Sequence, residues 1–286
     1  MHDGSLRMKG ITQDQSDCPS LAQSRGIYRE QASSGALAGD VKCFWTHHLP
    51  EPARVAVVPD GCVDIIWISG GLAVVGPDKV AAFPQLVAGE TVVGARFRIG
   101  AAASWLRTPL DAITGKTVAL DAFWGRVARV LEAQIAEAAD AETRIAVLRA
   151  ALQNRLPTVK PPSPEIAACV SLLENERMNS VEPIRALVEE TGTSERTLRR
   201  RCREHFGYGA KTLDRILRLQ RFLVACRASP QSTLATLALD AGYADQAHLN
   251  REAKQLTSLT PGDIQQQLAD VMQDFRKSTQ PIYQEW

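Results

Sequence analysis

Four arginines, Arg196, Arg199, Arg200 and Arg203, fall at positions i, i+3, i+4 and i+7, a spacing that gathers them on one side of a helix. A guanidinium presents paired donors that match guanine O6 and N7, so a basic helix face of this kind fits the DNA major groove. The other side carries Leu198, Cys202 and Phe206, each four residues apart, an inner stripe for packing. Fifty residues on, Gln246, Asn250, Arg251 and Lys254 project from a second short amphipathic stretch whose inner positions are Leu249, Ala253 and Leu256. Glutamine and asparagine are the residue types that read adenine through two bonds.

Each of these faces needs an element to hold it. Ile184, Leu187 and Val188 mark a preceding helix that ends at Thr191-Gly192-Thr193, where glycine supplies the left-handed conformation of a tight turn, and Thr193 or Ser194 can cap the arginine helix. The same arrangement repeats: Leu234, Leu237 and Ala238 form a helix, Ala241-Gly242-Tyr243 a turn, and Asp245 a cap. Between the two units Lys211 to Arg227 reads as one continuous helix. At 1.5 Å per residue it spans about 26 Å, enough with the width of the units to offer two recognition helices roughly one DNA turn apart.

The chain has 286 residues, 45% of them hydrophobic, which allows two domains with buried cores. Its net charge of +1 does not announce a polyanionic partner. The distribution does: between Ser194 and Arg227 ten basic residues stand against three acidic ones. The six cysteines are irregularly spaced and read as reduced thiols. With no export signal and no apolar stretch of membrane-spanning length, the expected location is the cytoplasm, with no membrane partner.

Residues 1–25 are polar and aperiodic and are expected to be a disordered lead-in. From Val41 to Ile99 short apolar runs alternate with turn signals such as Pro59-Asp60-Gly61 and Gly70-Gly71, the pattern of a β-rich domain. Its last run places Val93, Ala95, Phe97 and Ile99 on one buried face and Gly94, Arg96 and Arg98 on the other. Asp121 is expected to cap a helix carrying Phe123, Val127, Val130 and Leu131, and a further stripe, Ile145, Leu148, Leu152 and Leu156, fits core packing or a dimer seam. The prolines of residues 157–163 break the pattern and act as the linker. The expected fold class is α+β: a β-rich regulatory or dimerisation domain with trailing helices over residues 26–156, then an all-α DNA-binding domain over 164–264 with two helix-turn-helix units joined by a long helix, then a tail over 265–286.

Residues Pro164 to Ile264 resemble the AraC/XylS family of regulators. The resemblance is carried by Gly192-x-Ser194-x-x-x-Leu198-x-Arg200, Phe206-Gly207-Tyr208, Arg215-x-x-Arg218-x-Gln220-Arg221, Ala241-Gly242-Tyr243-x-Asp245-Gln246-x-His248-Leu249-x-Arg251-Glu252 and Thr260-Pro261. Thr260 and Asp263 also read as a capping box. By resemblance the base-reading positions are Arg196, Arg199 and Arg200, then Gln246, Ala247, Asn250 and Arg251; Arg203 and Lys254 complete the exposed basic faces. Cys202 and Ala253 replace large aromatics usual in the family, and Ser258 replaces a glycine. The N-terminal half resembles a partner domain of one branch, through Val58-Pro59-Asp60-Gly61-Cys62-Val63-Asp64, Val75-Gly76-Pro77, Gly94-x-Arg96-Phe97 and Phe123-Trp124-Gly125. That implies a regulatory domain of unknown ligand.

The expected function is sequence-specific transcriptional regulation on double-stranded DNA through two adjacent major grooves, with no cofactor, no metal and no catalysis. A small-molecule effector, a second copy of the chain and RNA polymerase are the further candidate partners. The rival reading gives the N-terminal domain thiol chemistry at Cys62, by sensing or alkyl transfer. His47-His48 lacks a third metal ligand at usable spacing; Asp60 is expected to bond its own backbone in the turn, and Asp64 to do the same for a neighbouring loop. Trp45, Trp67, Phe97 and Trp124 read as core or as pocket lining, and His205 as packing or a phosphate contact.

Overall fold

The computed structural model describes residues 19–174 and 183–277. The N-terminal domain opens with β1 (Ser20–Leu21), β2 (Ile27–Ala32), β3 (Val41–His48), β4 (Val55–Ala56), β5 (Asp64–Ile68), β6 (Gly71–Val75) and β7 (Thr91–Phe97). A short helix α1 (Ala102–Leu106) and a turn at Leu110–Ala112 lead to β8 (Thr117–Ala119), and α2 (Asp121–Trp124), α3 (Arg126–Glu137) and α4 (Ala141–Arg155) close the domain. Six strands form an antiparallel sheet in the order β2-β3-β7-β5-β6-β8, while β1 pairs in parallel with β4.

One sheet face buries Phe44, Ile65, Trp67, Val74, Val93, Ala95 and Phe97 against α1 to α4. The expected one-sided exposure of the last run is corrected: β7 lies centrally between β3 and β5, and its second face is covered too, by a smaller cluster around Cys43, Trp45, Ile66 and Val92. Gly94 makes this possible. A Cβ there would lie 2.3 Å from the Trp45 ring, so only glycine lets the indole lie flat on the strand.

Several expectations change in the helices. Asp121 is the first residue of α2 and caps nothing; Gly125, at φ +56°, breaks the chain before α3. The buried stripe of α3 is Ala128, Leu131 and Ile135, and Val127 and Val130 are exposed. Leu148 and Leu152 of α4 are wholly buried in the sheet domain's own core, with Ile145 packed beside them, so this stripe is not a dimer seam.

The C-terminal domain is all-helical: α5 (Pro164–Glu174), α6 (Pro183–Thr191), α7 (Glu195–Phe206), α8 (Ala210–Ala228), α9 (Leu234–Asp240), α10 (Gln246–Thr257) and α11 (Pro261–Lys277). Two cores flank α8. Ile166, Leu187, Leu198, Phe206 and Leu213 form the first; Phe222, Leu237, Leu249, Leu256, Ile264 and Leu268 are among the residues of the second. The side chain of Ile184, assigned to the first unit from sequence, lies outside the described residues.

Both ends of the sequence-based partition move. The lead-in, expected to be disordered to residue 25, is ordered from residue 19: Ser20–Leu21 pairs with Val55–Ala56, and buried Leu21 joins the second helical core. The expected tail from residue 265 is instead a continuation of α11 to Lys277, anchored by Leu268. The stretches 1–18 and 278–286 of those two expectations, Cys18 included, lie outside the described residues.

The two domains meet along a seam. Gln220 Nε2 donates to the Pro59 carbonyl (2.8 Å), Ala81 N to Leu256 O (2.6 Å) and Leu21 N to Gln267 Oε1 (2.7 Å). Thr114 Oγ1 bonds Gly207 O (3.0 Å), and His205 Nδ1 lies 3.2 Å from Gly100 O, so His205 packs on the sheet domain. Gly207 ends α7 at φ +81°, and a Cβ there would stand 2.5 Å from Thr114 Oγ1 and 2.7 Å from Pro77 Cγ. Conformation and close approach both require glycine at that point.

Candidate nucleic-acid interface

Local capping fixes the start of each recognition helix. Ser194 Oγ accepts from Thr197 N (3.3 Å) at α7, and Asp245 Oδ1 accepts from His248 N (2.6 Å) at α10. Burial then fixes which way each helix faces. Leu198, Cys202 and Phe206 are inside, and Arg196, Arg199, Arg200 and Arg203 are exposed. In α10 Leu249, Ala253 and Leu256 are inside, and Gln246, Ala247, Asn250, Arg251 and Lys254 are exposed. All nine site residues expected from the sequence therefore lie on the outer faces of two helices, each packed by its inner face.

Two arginines of α7 have partners within the helix. Arg199 pairs with Glu195, and Arg200 Nη1 with Glu204 Oε1 at 2.6 Å, both one turn away. Such exposed pairs contribute well under 1 kcal/mol and yield readily to a phosphate or a base. Arg201 points elsewhere and pairs with Glu165 of α5 at 2.6 Å; this hydrogen-bonded pairing pulls the Glu165 carboxyl down to about 2.

A half-buried network braces α10 on α8. Arg215 Nε reaches Glu252 Oε1 at 2.6 Å and its Nη2 reaches Gln255 Oε1 at 2.9 Å. Arg218 pairs with Asp214, lies 3.8 Å from Glu252 Oε2, and stacks over the Tyr243 ring at 5.5 Å. Arg221 donates to the Ala241 carbonyl. Sequence reasoning named these α8 arginines as motif residues, but Glu252, the buried acid on which two of them converge, was singled out only as a motif letter. Its signal was its place one turn after His248, whose Nε2 lies 3.6 Å away.

Beyond α10, Thr260 and Asp263 exchange the reciprocal bonds of a capping box. Ser258, where the resemblance expects glycine, adopts φ +63° at the end of α10, a conformation that costs a side-chain-bearing residue about 1 kcal/mol.

The remaining sequence candidates separate cleanly. Cys62 is buried, its amide donates to Asp60 Oδ1 at 2.9 Å, and burial beside Asp60 pushes its thiol well above the usual range, which disfavours the thiolate that sensing or alkyl transfer would use. Asp60 bonds its own turn as expected. Asp64 does not cap a loop but forms a two-bond ion pair with Arg96 (3.0 and 2.9 Å), which also reaches Asp60 at 3.2 Å. His47 Nε2 bonds the Arg25 carbonyl and His48 Nδ1 meets Thr91 Oγ1. No group of three metal-competent side chains occurs among the described residues. Trp67, Phe97 and Trp124 share the main core, while Trp45 lies on the opposite sheet face, so the four aromatics line no common pocket.

Two capped helix-turn-helix units with outward polar faces, braced on one long helix, define a DNA-binding protein. Comparison with known proteins agrees. The helix-turn-helix domain family matches residues 187–267, and a domain of unknown function, DUF6597, matches residues 29–119. The first match covers the segment whose motif residues resemble the AraC/XylS family of transcriptional regulators. No curated protein matches it in sequence. Among solved structures it is similar to an apo variant of ToxT from Vibrio cholerae strain SCE256 (11% identity, 83% of this chain and 99% of that chain, TM-score 0.46). It is also similar to ToxT from Vibrio cholerae O395, alone (8%, 85% and 96%, 0.43) and bound to (E)-4-(8-methylnaphthalen-1-yl)but-3-enoic acid (7%, 85% and 99%, 0.42). No helix among the described residues is long and apolar enough to cross a membrane.

Proposed function

We propose that this regulator reads specific DNA sequence with α7 and α10 in two adjacent major grooves, and that its sheet domain controls that binding through the seam. The observation that carries the first part is the exposure of all nine polar or small outer residues on two helices whose inner faces are wholly buried. Arg196, Arg199 and Arg200 present forked donors suited to guanine, and Gln246 and Asn250 present amides suited to adenine. Ala247 is small enough to pass a base edge or meet a thymine methyl, Arg251 is a further base-reading position, and Arg203 and Lys254 extend the positive surface toward phosphates.

The second part rests on what the seam contains. The Val58–Asp64 segment, which carries the N-terminal resemblance, presses Pro59 on Gln220 and Gly61 beside Leu213 of α8, the helix that sets the angle between the units.

The deciding experiment compares Arg199→Ala with the wild-type chain on a duplex selected from a randomised pool and on a scrambled one, at several salt concentrations. Loss of a bidentate base contact should cost about 1–3 kcal/mol on the selected duplex and much less on the scrambled one. Equal weakening on both would reassign Arg199 to the backbone and defeat this reading of α7.

A further inference from the structure

Two helices of the first unit each carry a cysteine at the middle of their buried stripe. On α5 the stripe is Ile166, Cys169 and Leu173, and on α7 it is Leu198, Cys202 and Phe206; both cysteines are wholly buried. The two stripes belong to one core. The ion pair between Arg201 and Glu165 clamps α5 on α7 at this level, with Glu165 one turn before Cys169 and Arg201 next to Cys202. Inside the clamp the two thiols hydrogen-bond to each other, and neither is in a disulfide. We propose that Cys169 and Cys202 are a peroxide-reactive dithiol, which closes to a disulfide across α5 and α7 and, by drawing α7 inward, weakens sequence reading by the first unit. The effect on DNA rests on the role of α7 given above; the chemistry of the pair does not.

The two sulfurs differ. The Cys169 thiol donates to Cys202, the Ala210 amide at the start of α8 donates to it as well, and these bonds hold the Cys202 thiol below its ordinary range against the opposing effect of burial. Cys169, the donor in that bond, is pushed up. A thiolate is the form that attacks, so Cys202 reacts first. Cys43, Cys62 and Cys226 stand apart, because burial pushes each of their thiols up. The Cys202 sulfur attacks one oxygen of hydrogen peroxide, the O–O bond breaks, and a sulfenic acid and water result. The Cys169 sulfur then attacks the Cys202 sulfur; the S–S bond forms, the S–O bond breaks, and hydroxide leaves as water with the Cys169 proton. Two thiols and one peroxide thus give one disulfide and two waters. Since both residues are wholly buried, peroxide reaches them during local opening of the first unit, and the rate follows that opening.

Closure has a mechanical consequence. Two thiols in hydrogen-bond contact must draw closer to reach an S–S distance of about 2.05 Å, and in a close-packed core that movement passes into the helices. Arg199 and Arg200 lie within one turn of Cys202 on the outer face of the same helix, so they move with it. A bidentate bond to a base edge depends on distance and angle and tolerates little displacement.

The test uses the full chain in a Cys18→Ser background, which leaves five cysteines, all buried. The folded chain is treated with hydrogen peroxide, then unfolded in an alkylating agent. Two of the five thiols should escape alkylation, peptide mapping should join Cys169 to Cys202, and dithiothreitol should restore all five. Alkylation of all five, a bond between another pair, or a bond that forms only after unfolding overturns the dithiol. The oxidised chain should bind a duplex selected by the reduced chain about tenfold more weakly, the equivalent of one lost base contact, with little change on a scrambled duplex. A Cys169–Cys202 disulfide that leaves binding to the selected duplex unchanged overturns the coupling to α7. In Cys169→Ala no second sulfur follows the first step, so dimedone should trap a sulfenic acid at Cys202; a folded variant without that adduct overturns the assignment of the attacking sulfur. If the reduced chain does not distinguish the selected duplex from the scrambled one, the reading of α7 fails and the coupling with it, while peptide mapping still decides the dithiol.

Discussion

At the scale of single residues, an acid near the seam has a measurable consequence. Asp78 is half-buried next to Pro77, which touches Gly207, and burial together with the Asp60 and Asp64 carboxylates pushes its carboxyl up to about 6. Its folded pKa exceeds its unfolded value, so the folded chain holds the proton more tightly. Stability is therefore fully present below about pH 4, falls as pH rises through about 6, and stays reduced above that. Asp78→Asn, which stays neutral, should melt roughly 2–4 °C above wild type at pH 7.5. The two chains should coincide near pH 4, and a constant difference across that range would remove Asp78 as the cause.

At the scale of elements, α8 acts as the ruler between two recognition helices, and Glu252 fixes the second one to it. Arg215, Arg218 and His248 all converge on this buried carboxylate. Glu252→Ala would leave the partly buried Arg215 guanidinium without its acid and remove a second, more distant carboxylate from Arg218, which keeps Asp214. The expected cost is about 2 kcal/mol, below the 3–5 kcal/mol of a wholly buried pair because Arg215 keeps some solvent. Since neither arginine is placed to read a base, DNA affinity should fall by a similar factor on selected and scrambled duplexes. A loss confined to the selected duplex would show that the α8 arginines contact bases. Chemical denaturation and binding curves on the same variant give both numbers.

At the scale of the whole molecule, the two helical cores are almost complete without the sheet domain: among the described residues Leu21 is the single N-terminal one buried in either, and Val58 and Ile99 pack at their edges. A fragment of residues 164–277 should fold and bind DNA. The shorter fragment 164–264, which the sequence alone recommends, loses Leu268 and most of α11. Removing that buried leucine alone costs about 1.5–3 kcal/mol, so this fragment should melt lower or fail to fold. Equal melting temperatures for the two would show α11 to be dispensable.

Much of this was legible in the sequence because it depends on local rules. Ser194, Asp245 and the Thr260–Asp263 box announce helix starts through side-chain bonds to nearby amides, and the inner stripes Leu198-Cys202-Phe206 and Leu249-Ala253-Leu256 follow from 3.6-residue periodicity. Those rules determined two helix-turn-helix units and the outward direction of nine side chains. The sequence could not show what lay opposite those side chains, because contacts such as Thr114 with Gly207, Leu21 with Gln267 and Pro59 with Gln220 join residues 93 to 246 positions apart, and no local pattern records them. For the same reason it misjudged β7, whose second face is covered by distant chain, and α3, where the apolar Val127 and Val130 meet no partner surface. Periodicity fixes which face of an element is apolar; only long-range packing decides what covers that face, and here it set the sheet domain beside the helix meant for DNA.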